Sequence, residues 1–174
     1  LLFSRAPGHV LAMVASMHVW ERRTLSVGEI ALGCAVFGDG VDWAGVRIAQ
    51  TLPLGFAAMV PLGKTIVFSR WRAARDFAAA SLKEQGWFVH ELAHVWQAAR
   101  GTVLAAAKLK ALGKRAYAYE PRVDVKLGDY NIERQAEIAR HLFLARAGAP
   151  EAGAPARAWL YEISKTQLCS RSDR

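Results

Sequence analysis

Two histidines four positions apart occur in the segment His90-Glu91-Leu92-Ala93-His94. Residues at this spacing lie on one face of an α-helix, so the two imidazoles can bind a single ion. Zn²⁺ accepts neutral histidine nitrogens and keeps one position for water in catalytic sites. Glu91 lies about 100° around the helix from His90, where its carboxylate can act on that water as a general base. The segment therefore predicts a zinc ion bound by His90 and His94, with Glu91 as the catalytic residue.

A third protein ligand is needed for such a site, and the second acidic motif of the chain offers one. Glu133 and Glu137 are also four positions apart, so both carboxylates lie on one face of the helix expected there. One carboxylate can bind the metal while the other accepts the second ring N–H of a ligating histidine and fixes that ring. The spacing does not decide which glutamate has which role.

Four further side chains are candidates for stabilising an oxyanion, because each carries a hydrogen-bond donor. They are Tyr117, Tyr119, Tyr130 and His141. His141 is also a candidate extra metal ligand. No spacing rule selects among the four.

The elements that must position these residues are predicted to be helices. Ser81 and Glu84 form a capping-box pattern ahead of the histidine motif, and Gly101 marks the end of that helix. A long helix through Ala147, capped by Asp129 or Asn131, carries the two glutamates. Shorter helices are predicted from Ser26 to about residue 38, over residues 102–112 and over residues 155–167.

Two short strands are predicted at residues 46–49 and 65–68, because apolar residues alternate or cluster there between glycines and prolines. The tryptophans at positions 43, 71, 87 and 159 are expected to pack within the fold. These strands and helices together predict a small sheet in a helix-rich domain.

Length and composition limit the class of protein. The chain has 174 residues, of which 53% are apolar and 22% are charged, as in an average globular domain. We expect a single domain over residues 1–174, in which residues 1–20 carry too few structural signals to assign. Cys34 and Cys169 are too few for a cysteine scaffold, which favours a reducing, cytoplasmic location.

The net charge of +8 does not favour a nucleic-acid partner, because no run of basic residues is longer than two and a nucleic-acid interface needs a concentrated basic stripe. No apolar run is long enough for a membrane span. The apolar run over residues 10–20 is followed by Glu21-Arg22-Arg23 and not by a cleavage site. Any export is therefore expected to use a route that does not need a signal peptide.

The two motifs together resemble those of zincin metallopeptidases of the glutamate-ligand class. This resemblance implies that Glu133, the first acid of the second motif, is the third ligand and that Glu137 supports a ligating histidine. The class has Asp at the position of Glu137. The chain more closely resembles small bacterial Vgr-related proteins associated with type VI secretion. The segments that carry this resemblance are residues 25–29, 36–39, 41–42, 46–48, 88–97 and 133–138.

The resemblance implies an α+β fold, a zincin-like single domain with one Zn²⁺. It implies a metallopeptidase, in which a metal-activated water hydrolyses the peptide bonds of a peptide or protein substrate. It also implies an association with secretion-system components. Zincins commonly hold their substrate against an edge strand ahead of the histidine helix. The candidate substrate strand is therefore formed by Ile66, Val67, Phe68 and Ser69.

Two other functions are compatible with the same residues. The chain can be a non-catalytic binding or adaptor module that keeps zinc for folding, and a peptidase assay of the metal-bound protein separates this function from catalysis. It can also be a zinc protease that associates with nucleic acid, which only the net charge suggests. DNA binding that weakens steeply with salt would support that last function.

Overall fold

The computed structural model describes residues 15–69, 71–111, 113, 116–165 and 168 of the chain. These residues form an α+β fold that is rich in helix and has one four-stranded sheet, as the sequence predicts. The helices are α1 (Val27–Phe37), α2 (Leu82–Ala99), α3 (Leu104–Lys110), α4 (Ile132–Arg146) and α5 (Arg157–Lys165). The strands are β1 (Arg22–Thr24), β2 (Arg47–Gln50), β3 (Ala58–Met59) and β4 (Thr65–Phe68). Short 3₁₀ helices lie at Trp43–Gly45, Phe77–Ala79 and Leu127–Asp129.

Helix α2 begins at the predicted capping box. The hydroxyl of Ser81 accepts the backbone N–H of Glu84 at 3.3 Å, and the carboxylate of Glu84 accepts the backbone N–H of Ser81 at 3.1 Å. Both bonds satisfy amides that the first helical turn leaves unpaired. Gly101 follows the helix with φ of 89°, a left-handed conformation that glycine adopts without steric cost.

Helix α4 begins at Asn131, whose side-chain oxygen accepts the N–H of Arg134 at 2.9 Å. The alternative cap, Asp129, instead closes the 3₁₀ helix ahead of it by accepting the N–H of Lys126 at 2.9 Å. Helix α4 packs closely against α2. A Cβ atom added at Gly86 of α2 would lie only 3.2 Å from the side chain of Leu144 of α4. The absence of a side chain at Gly86 therefore lets the helix with the glutamates approach the helix with the histidines.

The sheet has the strand order β1-β2-β4-β3, with β2 and β4 parallel and the outer strands antiparallel to their neighbours. Strand β4 is internal, since Val67 and Phe68 pair with Met59 and Ala58 of β3. Val67 and Phe68 of the candidate substrate strand Ile66–Ser69 therefore do not lie on a free edge, and the expectation of an edge strand is wrong for these two residues. The sequence did not reveal β3, because a strand of two residues is too short to show alternation.

The predicted packing role of the tryptophans is wrong for one of them. Trp43 is buried, and its indole N–H donates to the carbonyl of Gly38 at 3.0 Å. Trp87 contacts the ring of Phe68. Trp71 is exposed with φ of 55°, because it lies in the turn after β4, outside the core.

Candidate metal centre

Three buried side chains converge where helices α2 and α4 meet. The Nε2 atoms of His90 and His94 each lie 3.3 Å from the same oxygen, Oε2 of Glu133. The three ligand atoms lie within 4.8 Å of one another, a separation that one metal ion can bridge. Two imidazoles and one carboxylate oxygen therefore form a set of donors that could hold a metal.

An oxygen atom lies near the second ring nitrogen of each histidine. Nδ1 of His94 is hydrogen-bonded to Oε1 of Gln97 at 2.9 Å. Nδ1 of His90 lies 2.8 Å from Oε1 of Glu137, an ion-pair distance without hydrogen-bond alignment. A protein acceptor at Nδ1 keeps the proton there and leaves Nε2 free to bind a metal. The structure thus places Glu133 at the Nε2 side of the rings and Glu137 behind one of them.

Gln97 is a residue of the site that belongs to neither of the two predicted motifs. Its amide nitrogen donates to the carbonyl of Ile132 at 2.9 Å and to the side-chain oxygen of Gln135 at 3.0 Å. Gln97 therefore orients His94 and joins α2 to the start of α4. The available signal was its position three residues after His94, which puts both on one helix face.

We expect replacement of Gln97 by Ala to weaken metal binding, measured with Zn²⁺ as the probe, by about 10–100-fold, because the ring of His94 loses the group that orients it. The carbonyl of Ile132 also loses a partner, which should lower the free energy of unfolding by roughly 1–3 kcal/mol. Competition with a chelating dye measures the affinity, and urea denaturation measures the stability.

The matched control is Gln85→Ala on the same helix. The amide of Gln85 donates to two backbone carbonyls, those of Ala78 and Ala80, so its hydrogen bonds serve the start of the helix and not a histidine ring. This control should lose stability and keep zinc affinity. Equal zinc affinity in the Gln97 and Gln85 variants would show that Gln97 does not orient the site.

Glu91 carries a buried oxygen without a protein partner. Its Oε2 makes no hydrogen bond to the described residues, although a buried carboxylate oxygen is costly to leave unsatisfied. A water molecule held by a metal at the neighbouring ligands would supply the missing donor. The donor set and this orphaned atom together fit a metal ion.

The charges of the site are strongly coupled. Burial by itself lowers the pKa of His90, but the carboxylates of Glu133 and Glu137 outweigh burial and raise that pKa to about 9. Burial likewise raises the pKa of Glu133, yet the two histidines, with Lys108 at 3.4 Å, hold it well below its usual range. The raised pKa favours the doubly protonated ring of His90 without metal, and an incoming metal must displace the proton on Nε2.

Tyr117 is the candidate oxyanion donor that lies beside the ligands. Its ring centroid is 6.0 Å from that of His90. Burial raises the pKa of the Tyr117 phenol, and the carboxylates of Glu133 and Glu91 raise it further. The phenol therefore keeps its proton and can donate a hydrogen bond.

The other three candidates have partners away from the ligand atoms. The hydroxyl of Tyr130 donates to the carbonyl of Glu120 at 2.8 Å. Tyr119 and His141 bond to each other at 2.5 Å. His141 lies behind Glu137, with Nε2 at 3.9 Å from its carboxylate, and is not one of the converging ligand atoms.

Comparison with known proteins finds a secretion-system relative. No protein-family model matches the chain. The chain is 37% identical over 145 residues to the type VI secretion system spike protein VgrG2b of Pseudomonas aeruginosa, a match that covers 78% of the chain and 14% of that protein's length. It is also similar to the solved effector domain of Pseudomonas aeruginosa VgrG2b, with a TM-score of 0.62, 30% identity and coverage of 86% of each chain.

Proposed function

Because the chain belongs to the family of the VgrG2b effector domain, we propose that it is a zinc-dependent metallopeptidase that works as an effector of a secretion system. Its substrate would be a peptide or protein. Its route out of the cell would be that system, in keeping with the type VI secretion system named for its relative.

The observation that carries this proposal is the pairing of a three-ligand set with a buried, unsatisfied base. Two Nε2 atoms and one oxygen of Glu133 converge, which is the donor set of a catalytic zinc site with one position left for water. Oε2 of Glu91 is buried without a protein partner. A purely structural zinc site has four protein ligands and needs no such base, so these features favour catalysis over an adaptor role.

In this mechanism His90, His94 and Glu133 would hold the zinc ion. When bound, zinc supplies a Lewis acid that polarises the scissile carbonyl and lowers the pKa of water toward about 7. Glu91 accepts the proton of the attacking water at its carboxylate and then delivers it to the leaving amine. The hydroxyl of Tyr117 donates a hydrogen bond to the oxygen on which negative charge develops.

Metal content and hydrolysis measured on one preparation test the proposal. Protein purified without chelator should contain about one zinc per chain, and His94→Ala should abolish tight binding. The zinc-loaded protein should cleave an unfolded protein substrate such as casein, lose this activity on chelation and regain it with added zinc. Absence of zinc binding by the folded protein would overturn the zinc site. Full zinc loading without cleavage of any peptide library would favour the adaptor function.

A further inference from the structure

Four exposed apolar side chains lie at one end of the sheet. They belong to Trp20, Leu52, Leu54 and Trp71. Hydrogen bonds of backbone N–H groups bring the segments of Trp20 and of the two leucines to this end, and Trp71 follows the last residue of β4 by three positions. The N–H of Trp20 donates to the carbonyl of Gln50 at the end of β2, and the N–H of Thr51 donates to the carbonyl of Phe68 at the end of β4, both at 2.8 Å. The N–H of Leu54 donates to the hydroxyl of Ser69 at 3.2 Å.

The two tryptophans have an unfavourable backbone conformation. Trp20 has φ of 70° and Trp71 has φ of 55°, and in the described part of the chain only these two residues other than glycine have positive φ. A left-handed backbone disfavours bulky side chains and suits Gly or Asn. Their side chains are also 71% and 56% exposed, so they contribute little to the core. Their large indole rings are therefore better explained by a use outside the fold.

The surroundings of these tryptophans are cationic. Arg22 in β1 and Arg72 beside Trp71 are exposed and form no ion pair with the described residues. The nearby carboxylate of Glu21 is already paired with Arg75 at 2.9 Å. We call the six residues of this end the tryptophan patch: Trp20, Arg22, Leu52, Leu54, Trp71 and Arg72.

We propose that the tryptophan patch binds the surface of an anionic membrane. Indole rings partition to the boundary between lipid headgroups and acyl chains, where the ring is apolar and the N–H meets polar acceptors. Both tryptophans are exposed, so their indole rings can reach such a boundary. Guanidinium groups match lipid phosphates. The guanidinium of Arg22 is exposed, that of Arg72 lies 5.7 Å from the ring centroid of Trp87, and the chain carries a net charge of +8.

The attachment is peripheral. In the part of the chain that the structure describes, no helix is long and apolar enough to cross a membrane. Residues from three separate segments form the patch, so binding would insert side chains at the membrane surface and leave the fold unchanged. Such binding strengthens with the buried apolar area and with anionic lipid.

Co-sedimentation of the whole chain with vesicles tests this proposal. The probes are vesicles of pure phosphatidylcholine and vesicles in which about one third of the lipid is phosphatidylglycerol. We expect binding to the anionic vesicles, with a blue shift of tryptophan fluorescence, and weaker binding at high salt. The double variant Trp20→Asn and Trp71→Asn should bind about tenfold or more weakly. Because Asn tolerates positive φ, this variant should fold at least as well as the parent chain.

The matched control is the double variant Leu62→Asn and Val123→Asn. These side chains are 90% and 100% exposed and lie outside the patch, so their loss should leave vesicle binding unchanged. Absence of binding to anionic vesicles overturns the proposal, as does equal loss of binding in both double variants. If the parent chain self-associates and the tryptophan variant is monomeric, the patch is instead a contact between copies. Zinc content is measured on every variant, because it should not change.

Discussion

Replacing Glu91 by Gln should leave zinc content unchanged and lower the rate of peptide hydrolysis by about 10²–10⁴-fold or more. Gln has nearly the same shape as Glu but cannot accept the proton of the attacking water. The candidate ligand atoms belong to His90, His94 and Glu133, so the substitution would remove a reactive group without changing the proposed ligands. Steady-state hydrolysis of the best available peptide, together with elemental analysis of the same sample, measures both quantities.

Glu84→Gln is the control for this substitution. Glu84 lies on the same helix, is exposed, and closes the capping box at its start, a position where Gln serves nearly as well. Its hydrolysis rate should match that of the parent chain. A second readout is stability. Because Glu91 buries an oxygen without a partner, the zinc-free Glu91→Gln protein should unfold at an equal or higher temperature. Unchanged turnover in Glu91→Gln would make the general-base assignment wrong.

The second large effect separates the two glutamates of α4. Glu133→Ala should reduce zinc affinity far more than about 100-fold, because only two histidines then remain and the folded site no longer outcompetes solvent. Glu137→Ala should reduce affinity or activity by only about 10–100-fold. Its carboxylate lies 2.8 Å from Nδ1 of His90, so its loss loosens the ring but removes no ligand atom. Zinc titrations at a pH near 8 measure both variants.

Glu162→Ala provides the baseline, because Glu162 is an exposed carboxylate of α5 that pairs with Lys165. It should bind zinc as the parent chain does. If Glu137→Ala loses the metal and Glu133→Ala retains it, the roles of the two glutamates are exchanged. Small and equal losses in both variants would require another ligand, and His141 would be the first residue to replace.

The local elements of the fold followed from the sequence. The capping box of Ser81 with Glu84 involves groups only three residues apart. Such bonds form within one helical turn, so spacing alone is enough to predict them. Spacing was also enough for the pairs His90 with His94 and Glu133 with Glu137. Two side chains four positions apart lie on one face of a helix wherever that helix lies in the fold.

The choice between local alternatives needed the tertiary structure. Asp129 and Asn131 were equally good caps by residue type, and the turn at Leu127–Asp129 assigned the cap to Asn131. The tertiary structure also showed that β4 is not an edge strand, because the two residues of β3 pair with it. A strand of two residues has no periodicity that the sequence could show. The hydrophobicity of Trp71 predicts a position in the core, yet this residue lies in the turn after β4 and is exposed.

For the candidate centre, the sequence by itself determined which side chains could act and on which helix faces they lie. It left open which glutamate meets the histidines, and it did not show what holds His94. His90 and Glu133 are 43 positions apart, and their 3.3 Å approach depends on the close packing of α4 on α2 at Gly86. The role of Gln97 depends on the same packing, since its amide bonds reach across to Ile132. Helical periodicity fixes directions within one helix, whereas contacts between helices follow from the packing of the whole core.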